Sequence, residues 1–218
     1  MKFETAIFDL DGTLLNTLDD LANAANHTLA KYNLPTHETE KYKYFVGNGM
    51  KNLVTRILPE NKREEPFFTE IYNSFIERYQ AHFLDDTAPY EGICQLIDML
   101  VEKGVKIAVV TNKVHDRAAM LIERFFGDKI SITQGQVTHF PLKPDPTSAL
   151  DVVKRLDSSA DKTIFIGDSG VDMQTAKNGG FFAAGVLWGF RKDDELRANG
   201  ADMTFDSPAA LGKFILGE

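Results

Sequence analysis

Two aspartates, Asp9 and Asp11, close a short apolar run in the stretch Ala6-Ile7-Phe8-Asp9-Leu10-Asp11-Gly12-Thr13. Residues Thr5 to Phe8 are β-branched or apolar and predict a buried strand. Carboxylates two residues apart point to the same side while strand geometry lasts. Gly12 then permits a sharp turn. Two acids at the end of a buried strand are costly unless positive charge sits between them, and a hard dication such as Mg²⁺ has the right chemistry. Taken alone, the stretch is equally compatible with a βα turn in which Asp and Gly serve as turn residues.

Other polar residues also follow apolar runs. Thr111 and Asn112 come after Val105 to Val110, and Asp168 and Ser169 come after Thr163 to Ile166. Asp172 stands one helical turn further on, and Lys143 lies just before a helix predicted from Pro146 to Leu156. Polar groups at the end of one strand could be helix caps. Three strands ending this way, with a lysine in addition, are harder to explain as caps.

The elements that must hold these residues alternate. Helices are predicted at Tyr90–Lys103, Asp116–Phe126, Pro146–Leu156 and Val171–Asn178, and strands at Val105–Val110, Ile130–Thr133, Thr163–Ile166 and Phe182–Leu187. Such alternation predicts an α/β protein with a parallel, Rossmann-like sheet covered on both faces. Right-handed crossovers bring every strand's C-terminal end to one edge, where ligands bind in such sheets. Residues 16–82 differ. Thr17–Tyr32 repeats Leu18, Leu21, Ala22, Ala25 and Leu29 at helical spacing, and Phe67–Phe83 carries a stripe of Phe68, Ile71, Tyr72, Phe75, Ile76, Tyr79 and Phe83. An all-helical module inserted after the first strand is expected there, with residues 1–15 and 83–218 forming the core domain.

Composition bounds the function. The chain has 218 residues and a net charge of −8, which disfavours a general nucleic-acid or anionic-membrane surface. No signal peptide or stretch of membrane-spanning length is read. The lone Cys94 cannot pair internally and is expected to be a buried small hydrophobe, which fits a reducing cytoplasm.

Taken together, DLDGT at Asp9–Thr13, VVTNK at Val109–Lys113, KPDP at Lys143–Pro146 and GDSGVDM at Gly167–Met173 resemble, in order and spacing, the phosphatases of the haloacid dehalogenase superfamily. Within it the chain most resembles phosphoglycolate phosphatases, on Pro89-Tyr90-Glu91-Gly92, the TNK triplet, KPDP and Val186-Leu187-Trp188-Gly189-Phe190. The resemblance implies Mg²⁺ bound by Asp9, Asp168 and the Asp11 carbonyl, and Asp9 as the nucleophile that becomes an aspartyl phosphate. It implies Asp11 as general acid and then base, and Thr111, Asn112 and Lys143 on the phosphoryl oxygens. Asp172 would support the metal through water or Ser169.

The inserted module would be the helical cap, with Gly49 in its substrate-facing loop Gly47-Asn48-Gly49-Met50. The expected partner is a small phosphorylated metabolite, and the expected assembly a monomer or homodimer. Sugar-phosphate mutases of the same superfamily share Asp9 and Asp11 and stay open, as do its pyrophosphatases. Asp11 argues against dehalogenase chemistry, and no cap lysine is singled out for phosphonate cleavage. A phospho-receiver domain would place its acceptor after a middle strand and lacks such an insertion.

Overall fold

The computed structural model describes residues 1–218, which divide into two compact units. The first comprises Met1–Leu15 and Pro89–Glu218, and the second Asn16–Ala88.

In chain order the elements are β1 (Thr5–Phe8), β2 (Leu15–Asn16), α1 (Leu18–Lys31), α2 (Thr39–Phe45), α3 (Met50–Ile57), α4 (Phe67–His82), β3 (Ala88–Pro89), α5 (Ile93–Glu102) and β4 (Lys106–Val114). They continue with α6 (His115–Phe126), β5 (Ile132–Gln136), α7 (Thr147–Arg155), β6 (Thr163–Gly167), α8 (Gly170–Gly179), β7 (Phe182–Val186), α9 (Asp193–Ala198), β8 (Met203–Phe205) and α10 (Pro208–Leu216).

The first unit is built on a six-stranded sheet in the order β5-β4-β1-β6-β7-β8. Every neighbouring pair is parallel, so all C-terminal strand ends share one edge. Strand β1 lies at the centre, and its residues Ala6, Ile7 and Phe8 have no exposed surface. Burial on both faces explains why strands β1 and β6 are runs of apolar or β-branched residues rather than alternating patterns. Ile7, Ala108, Val110, Phe165 and Met173 belong to one core cluster, joined by Val152 of α7 and Phe181. Helix α5 turns Ile93, Leu96, Ile97 and Leu100 inward. Cys94 corrects the expectation of burial: it is exposed, because the position after Ile93 falls off that inward stripe.

Strand β4 is longer than its apolar run. It continues through Thr111, Asn112 and Lys113 to Val114, with a register shift against β5 between Val110 and Val114. The apolar stretch ends where the strand enters the polar edge, so hydrophobicity stops before the backbone pairing does.

The second unit is helical. Ile71, Phe75 and Tyr79 of α4 are buried, and α1 contributes Leu21, Ala25 and Leu29. The unit runs to Ala88 rather than ending at His82. Buried Asp20 of α1 explains the difference: its carboxylate accepts hydrogen bonds from Asp86 N (2.9 Å), Thr87 N (3.0 Å) and Thr87 Oγ1 (2.7 Å), tying that segment to the helices. Helix α2 has no counterpart in the sequence reading. Its seven residues bury only Tyr42, too few to show a helical period.

Candidate active site

The first carboxylates sit where β1 ends. Asp9 N donates to Ile166 O across to β6 (2.8 Å), which extends the sheet by one residue and fixes Asp9 at the edge. The chain then turns tightly: the amides of Leu14 and Leu15 donate to Leu10 O, and Gly12 N donates to Leu15 O. Gly12 has φ +86, and a Cβ there would overlap the Asp168 carboxylate. Only glycine lets the turn lie so close to that acid.

Asp168 follows β6 and is buried. It accepts a 2.7 Å hydrogen bond from Phe190 N and one of 3.2 Å from the Thr13 hydroxyl. Gly189 makes the first of these possible, since a side chain there would strike Asp168 and the Gly12 carbonyl. Trp188 Nε1 donates to Thr13 O (3.0 Å), so the loop after β7 is fastened to the turn after β1. Asp172, one turn into α8, has no exposed surface. Its Oδ2 accepts from the Ser169 amide (3.0 Å) and hydroxyl (2.6 Å), and its Oδ1 from Lys143 Nζ (2.7 Å).

Lys143 stands between two acids, with Nζ also 2.8 Å from Asp9 Oδ1. That Asp9 oxygen is shielded from solvent and accepts no hydrogen bond of good geometry, so the contact is an ion pair by proximity. Asn112 positions the lysine. Its side-chain amide receives Lys143 N on Oδ1 (2.8 Å) and donates Nδ2 to Lys143 O (3.2 Å), as a second backbone strand would.

Burial disfavours charge on these acids. It pushes Asp9 from 3.8 up to about 6, against the pull of Lys143 and with added repulsion from Asp172. Asp168 is raised well above its ordinary value by burial, then by Asp172 and Asp9. Burial would depress Lys143, but Asp172 and Asp9 outweigh it and hold the ammonium charged.

One carboxylate oxygen from each of Asp9, Asp168 and Asp172 lies within 4.8 Å of the other two. Three buried acids, one ammonium and one buried oxygen without a hydrogen bond make a hard-oxygen donor set with charge left to neutralise. These residues fit a divalent cation.

The structure therefore brings Asp9, Asp168 and Lys143 together, with Asp172. Thr111 is buried on β4, where its hydroxyl accepts a 3.3 Å bond from Lys113 N. Asp11 lies beyond the strand end, and both its oxygens contact Lys113 Nζ, at 2.9 and 3.1 Å. Gly49 belongs to the second unit, as the N-cap of α3 with φ +84. Arg56 braces that turn by donating to Asn48 Oδ1 (2.8 Å) and Phe45 O (2.9 Å).

Three roles were not assigned from sequence: Lys113 as the partner of Asp11, the Asn112 side chain as a brace, and the Trp188–Phe190 loop as the holder of Asp168. A lysine two residues after Thr111, at the end of an apolar strand, was the signal available for the first.

The sequence pattern of the haloacid dehalogenase-like hydrolase family matches residues 6–186. A phosphoglycolate phosphatase of Agrobacterium fabrum is 33% identical over 213 residues, covering 94% of this chain and 89% of the relative. One from Chromobacterium violaceum is 32% identical over 208 residues, covering 94% and 92%. A crystal structure from Lactobacillus delbrueckii subsp. bulgaricus, of a protein provisionally named a phosphoglycolate phosphatase, superposes with a TM-score of 0.94 at 32% identity over 100% of both chains.

Proposed function

Because the chain belongs to the haloacid dehalogenase-like hydrolases, we propose that it is a Mg²⁺-dependent phosphatase of a small phosphorylated metabolite, 2-phosphoglycolate foremost, working through an aspartyl phosphate on Asp9. The observation that carries this reading is the buried Asp9 carboxylate, 2.8 Å from Lys143 and grouped with Asp168 and Asp172. The names of the relatives support the substrate. Mg²⁺ would be held by Asp9, Asp168 and the Asp11 carbonyl, and would supply charge to offset the repulsion between a carboxylate and a phosphate dianion.

The chain's own residues do the rest. Asp9 attacks phosphorus in line, and the P–O bond to the leaving alcohol breaks. Asp11 gives that oxygen a proton, then takes one from the water that cleaves the aspartyl phosphate. Lys143 places its ammonium at the phosphoryl oxygens, and the Asn112 brace keeps it there. The Thr111 hydroxyl and the Asn112 amide donate to the same oxygens. Asp172 keeps Lys143 charged and aimed. The helical unit is assigned the choice of leaving group, with Gly49 in its recognition loop. The proposal includes a cytoplasmic monomer or homodimer. No helix is long and apolar enough to cross a membrane.

Phosphate release from p-nitrophenyl phosphate is expected to need Mg²⁺ and to fall by roughly a thousandfold or more in Asp9→Asn. Retained turnover would show that another group is the nucleophile. A panel containing 2-phosphoglycolate, pyrophosphate and hexose phosphates then ranks the substrates, with 2-phosphoglycolate expected first.

A further inference from the structure

We infer that Lys113 is the positioning residue of Asp11, aiming that carboxylate at the leaving oxygen, and this inference rests on the phosphatase reading above. Lys113 is a charged side chain with no exposed surface, in the middle of a polar strand end. Lysine is rarely buried in full, and an ammonium removed from water needs close anionic partners. Its contacts at 2.9 and 3.1 Å span both oxygens of Asp11, whose side chain remains 15% exposed.

The turn fixes the backbone of Asp11, through Gly12 N to Leu15 O and the short Asp11–Leu15 bridge. It does not fix the side-chain torsions. A cation across both oxygens does, because the carboxylate plane must face the ammonium. The strand supplies the reach. Residues 111–113 lie within β4 where it shifts register against β5, and Lys113 N donates to Thr111 Oγ1 (3.3 Å), so the residue assigned to the phosphoryl oxygens and the one gripping Asp11 are joined within one short segment. A polar strand end thus carries two roles two residues apart.

General acid–base catalysis depends on such aim, since the proton must pass over hydrogen-bond distance. Nitrophenolate leaves without a proton, whereas an alkoxide needs one. The test compares wild type and Lys113→Met with Mg²⁺ on p-nitrophenyl phosphate, ethyl phosphate and 2-phosphoglycolate. Lost aim is expected to lower kcat/KM for both alkyl esters alike, by about a hundredfold, while the aryl ester changes by less than about threefold. On the aryl ester, kcat is expected to fall and a stoichiometric burst of nitrophenol to appear, as the aspartyl phosphate waits for its base. In an Asp11→Asn background, Lys113→Met is expected to add less than about a twofold loss.

Uniform kcat/KM losses on all three substrates would overturn the inference, as would a full multiplicative loss in the Asp11→Asn background. A loss confined to 2-phosphoglycolate would overturn it too, by making Lys113 a ligand of the substrate carboxylate. Should Lys113→Met fail to fold, Lys113→Arg keeps the charge and is expected to show the same alkyl-over-aryl ordering at smaller size; a uniform effect would refute the role. Absence of Mg²⁺-dependent turnover in the wild type would instead refute the phosphatase reading itself.

Discussion

Buried aspartates occur in both units of this molecule, and they are treated in opposite ways. In the helical unit Asp20 is 2% exposed and receives three donors from Asp86 and Thr87, each at 2.7 to 3.0 Å. At the sheet edge Asp9 and Asp172 share one lysine beside Asp168, and Asp9 Oδ1 accepts no hydrogen bond. A carboxylate ringed by backbone donors is spent on holding the chain in place. A carboxylate left short of partners costs stability and keeps its oxygens available for a cation or for phosphorus. Between Asp20 and Asp9 it is the completeness of the hydrogen-bond shell, rather than burial, that separates the two uses.

That contrast can be broken most sharply by exchanging the two kinds of acid. Asp168→Asn is expected to lower turnover by roughly a thousandfold or more while leaving the urea midpoint of the metal-free protein unchanged or higher, because a neutral isostere removes buried repulsion. A large drop in that midpoint would place Asp168 with Asp20 as a structural acid. Asp20→Ala is expected to do the reverse. It strands two backbone donors and should cost about 2–4 kcal/mol in urea unfolding, with kcat per folded molecule within about twofold of wild type. A drop in kcat with stability intact would count against the distinction.

The third measurement adds metal. Burial lifts Asp9 from 3.8 to about 6 and shifts Asp168 the same way, so the folded metal-free protein holds protons that the unfolded chain releases. That contribution to stability is complete below about pH 4 and is lost as the pH rises through about 6. Mg²⁺ at a hundred times its dissociation constant should restore about 2.7 kcal/mol near pH 7.5 and much less near pH 5, read as the shift in Tm. Equal shifts at both pH values would disconnect the cation from these acids. The smallest effect is expected from Ser169→Ala. It removes the 2.6 Å bond to Asp172 and should cost about 1 kcal/mol, with the Lys143 ion pair preserved.

The alternating architecture was legible because the buried strands are short runs of β-branched and apolar residues separated by helical periods. Asp9, Lys143 and Asp168 could be grouped from topology alone, since parallel strands bring their C-terminal ends to one edge. Lys113 was harder, for a reason of scale. A lysine after a strand reads as a solvated charge, and only coordinates show its stem buried and its head on Asp11. Strand β4 was cut short at Val110 for a related reason: hydrophobic pattern tracks the core, whereas backbone pairing continues to Val114. The Asn112 brace joins residues 31 positions apart, and no local spacing encodes it. Helix α2 and exposed Cys94 show the remaining limit, where one or two residues decide burial.

Central placement of β1 has a consequence for how the protein is made. Thr5–Phe8 is hydrogen-bonded on one side to the segment beginning at Lys106 and on the other to the segment beginning at Thr163. A nascent chain emerging from the ribosome therefore carries this strand unpaired for about a hundred residues, and waits longer still for its second neighbour. The contiguous helices of residues 16–88 can meanwhile settle as a unit of their own. Asp9 meets Lys143 and Asp168 only after most of the polypeptide has been synthesised, so prematurely terminated chains that end before Thr163 are expected to be catalytically silent whatever else they have folded.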